Sequence, residues 1–347
     1  MKCIRCGTDS RRSERADGRC PKCSERFAFE PVGSDPWTDP MFQAAIDAVS
    51  QKGKVSFTVA QLHHAVERRW ASPVSWAAVV AWLGAGVGLV AALCAGEVLL
   101  GLGIAVVGLG VWLWRRWRVV PPVLRMERDT FGGMVRRWED AHGPVRGLVR
   151  VKRAPKQPIP EELREYSFDR VVVTDTAENA EILLANDFHF ENACAVLSVD
   201  GHPAGVFDDV REMVRANPAI EVFALHDCSP EGCTLAARLA GDPRWFQGVG
   251  RVTDVGLRPR HVERMDIARI PVSEPCAQHE GLTAEEAAFL GRWRVELAGL
   301  PPDQVVKRLF RAMKGSREGE GSGGGADGAD PILLPGVVSD GGGDAFG

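Results

Sequence analysis

Tyrosine is almost missing: Tyr166 is the only one in 347 residues, so chemistry that needs a tyrosine nucleophile has a single residue to draw on. A charge bias is missing as well. With 42 Lys and Arg against 46 Asp and Glu the net charge is -4, and no bulk attraction to nucleic acid follows. No N-terminal signal sequence is read in the chain. Its nine cysteines, four of them in paired C-x-x-C form, therefore point to a reducing, cytosol-facing compartment and to metal binding rather than disulfides. The charge present is segregated, with residues 115–154 rich in Arg and Lys and residues 318–347 Gly-rich and acidic.

At this length, and with 45% hydrophobic residues, two or three small domains are expected. Cys3, Cys6, Cys20 and Cys23 make a C-x2-C-x13-C-x2-C array at the N-terminus, with Gly7 turning the chain after the first pair. Two such knuckles bring four thiolates into a tetrahedron around structural Zn²⁺. Residues 1–30 resemble the zinc ribbons at the N-termini of many bacterial membrane proteins.

Residues 35–70 read as a small helical unit: Asp39 can cap a helix through Val49, Gly53 breaks it, and Thr58 with Gln61 forms a capping box for a second helix to Arg69. This order fits a miniature helix-turn-helix or a plain helical packing unit. His63 and His64 are expected on the surface of the second helix.

Residues 74–96 are an uncharged run of 23, Glu97 interrupts, and residues 98–114 add 17 more. About 20 apolar residues cross the hydrocarbon core, so residues 74–114 are expected to be a two-helix transmembrane hairpin with the lipid bilayer as partner. Recurrent glycines, among them Gly84, Gly88, Gly103 and Gly108, would let the two helices pack closely. Arg68 and Arg69 precede the hairpin and Arg115, Arg116 and Arg118 follow it, which places both termini on the cytoplasmic side of a bacterial inner membrane. The basic region 115–160, amphipathic around residues 126–142, is expected against anionic headgroups and then as a stiff linker. Residues 273–314 form a C-terminal helical segment, and residues 315–347 are disordered by composition.

Residues 161–272 alternate between strand and helix. Runs at 170–173, 194–199, 221–225 and 251–255 read as strands, and 177–186, 206–216 and 234–239 as helices, an α/β order that gives a mostly parallel sheet with flanking helices. The turn at residues 226–232 holds Asp227 and Glu231 at a strand end, where open α/β sheets place ligands. Such a pair marks a divalent cation or phosphate site, or else the Asp caps the next helix. His226 is a candidate base or metal ligand, or a satisfied structural residue. Cys228 and Cys233 read as buried thiols.

VVVTDTAENA, LSVDGHPAG and LHDCSPEG, in this order over about a hundred residues, resemble the Toprim domain of topoisomerases, primases and related nucleases. By that resemblance Asp175 stands where the family has its proton-transfer glutamate. Gly201 and His202 follow the second strand, and Asp227, Glu231 and Gly232 match the D-x-D-x-E-G turn that holds Mg²⁺ or Mn²⁺. Asp175, Asp227 and Glu231 would then be the catalytic set, with Gly201, His202, His226, Ser229 and Gly232 lining the ligand site. The chain departs from the pattern at Ser229, which stands where the second Asp belongs and supplies only a neutral oxygen. The solitary Tyr166 has no DNA-gripping domain beside it, which excludes a topoisomerase.

Three roles follow. A membrane-tethered binding or regulatory protein recognising a nucleotide, nucleic acid or protein partner ranks first. A structural membrane adaptor ranks second, and a Mg- or Mn-dependent nuclease or phosphotransferase third.

Overall fold

The computed structural model describes residues 1–30, 37–71, 122–151, 168–247, 251–272 and 281–319. The expected transmembrane hairpin, the linker ahead of the first strand of the sheet and most of the acidic tail lie outside the described residues. Among the described residues no helix is long and apolar enough to cross a membrane.

The sheet forms where Val, Ile and Phe cluster in short runs. Strands β3 (Arg170–Thr174), β4 (Cys194–Ser198), β5 (Glu221–Leu225) and β6 (Val252–Asp254) pair in parallel in the order β4-β3-β5-β6. Strands β1 (Phe57–Thr58) and β2 (Leu148–Val149) belong to a separate unit. Central β3 is covered on both faces, which is why its sequence is an unbroken Val171, Val172, Val173 run rather than an alternation. Val172, Phe223 and Leu225 point to one apolar layer, with Ile182 and Leu183 of helix α4 (Ala177–Leu184). Val171, Val173, Val222 and Ala224 point to the other, with Val214 of α6 (Phe207–Ala216) and Leu235 and Leu239 of α8 (Leu235–Gly241). This is a three-layer α/β arrangement. Between these lie the one-turn helices α5 (Phe188–Glu191) and α7 (Pro230–Cys233).

After β6 the chain adds α9 (Pro259–Val262), the antiparallel pair β7 (Ile270–Pro271) and β8 (Trp293–Arg294), α10 (Ala284–Leu290) and α11 (Pro302–Gly319). Helix α11 continues through Gly315 to Gly319, so the C-terminal helical segment runs five residues past the boundary that composition gave it.

The helical unit differs more from expectation. Helices α1 (Asp39–Val49) and α2 (Val59–Ala71) are joined by α3 (Arg128–His142), and β1 (Phe57–Thr58) pairs in parallel with β2 (Leu148–Val149). Residues on both sides of the 72–121 segment thus share one core. In α3, Phe131, Met134, Val135 and Trp138 are buried at helical spacing. Phe42 of α1 lies 6.1 Å from Phe131 and 4.9 Å from Trp138, ring centre to ring centre. The amphipathic stripe expected to meet headgroups is therefore spent on protein. The α1 cap is Thr38, whose hydroxyl accepts from the Met41 amide, and not Asp39. The α2 capping box is present, Thr58 N to Gln61 Oε1 at 3.1 Å and Gln61 N to Thr58 Oγ1 at 3.3 Å.

His63 and His64 are 1% and 2% exposed, against the surface placement expected of them. His63 stacks on Phe131 at 4.5 Å, and burial lowers its pKa to about 4, so it is neutral in the fold. His64 pairs with Glu296. Two adjacent residues on one helix are both buried because α3 covers one flank of α2 and the α/β domain covers the other.

Candidate functional site

The four cysteines assemble by local repetition. Residues 2–9 and 19–26 each form a small turned hairpin, closed by Lys2 pairing with Asp9 and Arg19 with Arg26. Gly7 N bonds Cys3 O and Ser24 N bonds Cys20 O, so Ser24 takes in the second knuckle the left-handed position that Gly7 takes in the first. Cys3 and Cys23 Sγ are 3.7 Å apart and Cys6 and Cys20 Sγ 3.6 Å. A tetrahedron with Zn–S bonds of about 2.3 Å has edges of about 3.8 Å, so the quartet is compatible with structural zinc. The ribbon is fixed to the helical unit by Asp39, which accepts from Ala28 N and Phe29 N and pairs with His142 at 2.7 Å.

At the carboxyl end of the sheet, Asp175 follows β3 and Asp227 follows β5. From β3 the chain goes outward to β4 on one side, and from β5 outward to β6 on the other. The two strands flank the switch point of the topology, where the diverging connections leave a crevice. Thr176 caps α4 through the Asn179 amide, which turns the Asn179 side chain toward the strand ends. Asn179 Nδ2 donates to Asp175 Oδ1 at 2.8 Å and to Asp227 Oδ1 at 3.2 Å. The Asp227 amide donates to Asp175 Oδ2 at 2.8 Å, and the Leu297 amide donates to Asp227 Oδ1 at 2.7 Å. Burial, and then the neighbouring charge of Asp175, push the Asp227 pKa up to about 8, while burial raises that of Asp175. The pair therefore tends to hold a proton, and a cation would take its place.

Other residues singled out from the sequence are engaged elsewhere. Glu231 is 65% exposed and pairs with Arg294 at 3.1 Å. Ser229 caps α7, its hydroxyl accepting from Gly232 N at 2.9 Å. Gly232 is a close approach, since a Cβ there would overlap the Asp227 carbonyl oxygen. Gly201 turns the chain after β4 with φ +79, and His202 pairs with Glu181 at 2.8 Å. Cys228 and Cys233 are buried free thiols.

His226 is fully buried with both ring nitrogens on acceptors, Nδ1 on Asp227 O at 2.7 Å and Nε2 on Asp254 Oδ1 at 2.9 Å. Burial alone would lower its pKa, but the Asp254 bond and charge raise it, which favours the cationic ring. Burial alone would raise that of Asp254, but His226 and then Arg258 hold it well below the usual range. Arg258 reaches Asp254 at 2.7 Å and Glu286 at 3.0 Å, and also donates to Cys233 O. A Cβ at Gly256 would overlap the His226 ring. Through Nδ1 His226 fixes the Asp227 main chain, and through Nε2 it is tied to Asp254. Asp254 lies at the end of the fourth strand, and that placement was the sequence signal for it. For Asn179 the only signal was its position three residues after the capping Thr176.

The site has a cover that no motif announces. Residues 296–300 form a strap across the strand ends, anchored by the antiparallel bridge of Cys228 with Val295. Its Leu297 and Leu300 side chains are buried in the α/β core. Glu296 Oε2 meets His64 at 3.0 Å and Oε1 meets Arg128 at 3.0 Å, and Arg68 donates to Gly299 O at 2.6 Å. Arg128 also reaches Glu178. A small cavity lined by Thr58, Gln61, Asn179, Leu297 and Ala298, among others, lies between α2, α4 and the strap.

Among the described residues the cysteine quartet is the one group of three or more His, Cys, Asp or Glu side chains whose donor atoms lie within 4.8 Å of one another. Asp175 and Asp227 with Glu231 do not make a second. Two carboxylates fit Mg²⁺ or Mn²⁺ only as such ions are held beside phosphates, with water and ligand oxygens completing the shell. No protein-family model matches the chain and no curated protein matches it, so its resemblance to Toprim domains rests on the motifs quoted above.

Proposed function

We propose that this chain is a membrane-anchored binding or regulatory protein whose divergent Toprim-like domain recognises a phosphate-bearing ligand, a nucleotide or nucleic acid, at its strand ends without cleaving it. The observation that carries this is the meeting of Asp175 and Asp227 across Asn179 at the topological switch point, while Glu231 and Ser229 are committed to Arg294 and to a helix cap. An acidic pair in a crevice needs a proton or a cation, and a cation brings phosphate oxygens with it. A nuclease would need further oxygen ligands to clamp both the attacking and leaving groups. Zinc holds the N-terminal ribbon, and residues 74–114 would place the whole assembly under a bilayer.

Calorimetry of the full chain in detergent tests this with Mn²⁺ alone and with Mn²⁺ plus a nucleotide or short DNA. Binding that requires Mn²⁺ and disappears in Asp227→Ala supports the proposal. Phosphodiester turnover abolished by the same substitution overturns it in favour of the enzyme. Indifference to Asp175→Asn and Asp227→Asn, with stable protein partners co-purifying, would favour the adaptor.

A further inference from the structure

We infer that the strap at residues 296–300 is a latch held shut by the helical unit, and that the acidic pair becomes available to a cation when α2 and α3 release it. This rests on the reading of Asp175 and Asp227 as a binding pair.

The strap takes up acceptor capacity that an incoming cation would use. Leu297 N bonds Asp227 Oδ1, the same oxygen that accepts from Asn179, and Asp175 has both oxygens bonded, to Asn179 and to Asp227 N. With the strap in place these three carboxylate oxygens are taken by protein donors, the Leu297 and Asn179 bonds favouring charge on Asp227 while burial and the Asp175 charge oppose it.

The contacts that hold the outer face of the strap come from outside the α/β domain. His64 and Arg68 lie on α2 and Arg128 begins α3; between them they engage the Glu296 carboxylate and the Gly299 carbonyl. Residue 71, which precedes the apolar 72–121 segment, belongs to this holding structure, and residue 122, which follows the segment, is bonded to the α/β domain ahead of α3. Helix α2 ends at Ala71, and past the segment Leu124 N bonds Arg269 O while Arg269 N bonds Pro122 O. His64 and Arg68, which contact the strap, therefore sit on the helix that leads directly into residues 72–121. Asn179 and Leu297 both line the small cavity between α2, α4 and the strap, and opening the strap must also draw Leu297 and Leu300 out of the α/β core. Arg128 lies between Glu296 and Glu178 and also interacts with Asp227, so its loss removes the cation these three groups share and leaves His64 as the remaining partner of Glu296.

The test compares the full-length protein with Arg68→Ala/Arg128→Gln and with the milder Glu296→Gln, each in detergent. Mn²⁺ binding is read by calorimetry and amide exchange by mass spectrometry. The expected result is exchange at residues 296–300 at least tenfold faster and Mn²⁺ bound about tenfold more tightly, with the gain removed by adding Asp227→Asn. Unchanged exchange would show that α2 and α3 do not hold the strap and overturn the latch. Faster exchange with unchanged Mn²⁺ affinity would show that the strap does not compete for Asp227 and overturn it too. Faster exchange with no Mn²⁺ binding in any variant would instead defeat the reading of the acidic pair as a binding site, and the latch would lose its function with it. If the double variant does not fold, Glu296→Gln, which keeps the shape of the side chain, carries the same comparison.

Discussion

The amide of Asp227 donates to Oδ2 of Asp175 at 2.8 Å, so the first residue past β5 but one is bonded to the first residue past β3. The bond ties the two strand ends into one unit and brings a second carboxylate close to the first. Its cost is a carboxylate charge that the site does not readily accept.

That cost has a pH signature. The folded-state pKa of Asp227, about 8, lies above its ordinary value of 3.8, so between these values the folded protein holds a proton that the unfolded chain has lost. Stability should fall as pH rises through this window. Asp227→Asn should flatten the slope and be more stable than the parent at pH 8.5 by on the order of 2 kcal/mol, measured by urea denaturation. A parent whose stability rises between pH 5 and 8.5 at the same slope as the variant would contradict the assignment.

The pair of buried His226 and half-buried Asp254 should act in the opposite sense at its two ends. The raised pKa of His226 contributes stability that is full below the ordinary histidine value of 6.5 and lost as pH rises through its folded value. The lowered pKa of Asp254 contributes stability that is full above 3.8 and lost as pH falls through its folded value. Asp254→Asn leaves a cation buried against Asp227 O and should cost about 3 kcal/mol at pH 6, read as a lowered melting temperature. A cost under about 0.5 kcal/mol would mean that Arg258 alone organises this corner.

His63 should sensitise the helical unit to acid. Its folded pKa of about 4 lies below the ordinary 6.5, so the unfolded chain binds the extra proton and stability drops as pH falls from 6.5 toward 4. His63→Phe keeps the stacking partner for Phe131 and should remove part of this drop, seen by following tryptophan fluorescence near Trp138 between pH 7 and 4.5. Identical acid transitions in the two proteins would refute it.

Metal removal should unfold more than the ribbon. Because Asp39 binds Ala28 N and Phe29 N, loss of the ribbon frees a buried carboxylate in the helical unit. Chelation, or Cys20→Ser, should lower stability by about 4 kcal/mol, the linkage expected for metal at a thousandfold excess over its dissociation constant. Metal analysis should return one zinc per chain before treatment, and a chain that carries none and melts unchanged on chelation would count against the site.

Much of this was legible in the chain. The four parallel strands stood out because short Val-rich and Phe-containing runs end in turn residues, and the observed ends agree with the runs to within a residue or so. The cysteine array was legible because ligand spacing within a hairpin is local. The capping box of Thr58 and Gln61 is local for the same reason. The partner of the amphipathic α3 was not, since a stripe of Phe131, Met134, Val135 and Trp138 shows that a face is buried and not by what. His63 and His64 were misplaced because burial on two flanks of α2 comes from chain segments about 70 and 230 residues further on.

By itself the sequence determined the pieces whose cause lies within a few residues: the paired cysteine knuckles, the strand and helix order, and the placing of Asp175 and Asp227 at strand ends. Only the tertiary structure decided that β3 and β5 are neighbours, that Asn179 and not Glu231 joins the two carboxylates, and that residues 296–300 cover them under the hold of His64, Arg68 and Arg128. Spacing along the chain fixes hydrogen bonds between near neighbours, whereas which distant donor satisfies a buried carboxylate is set by how whole layers pack.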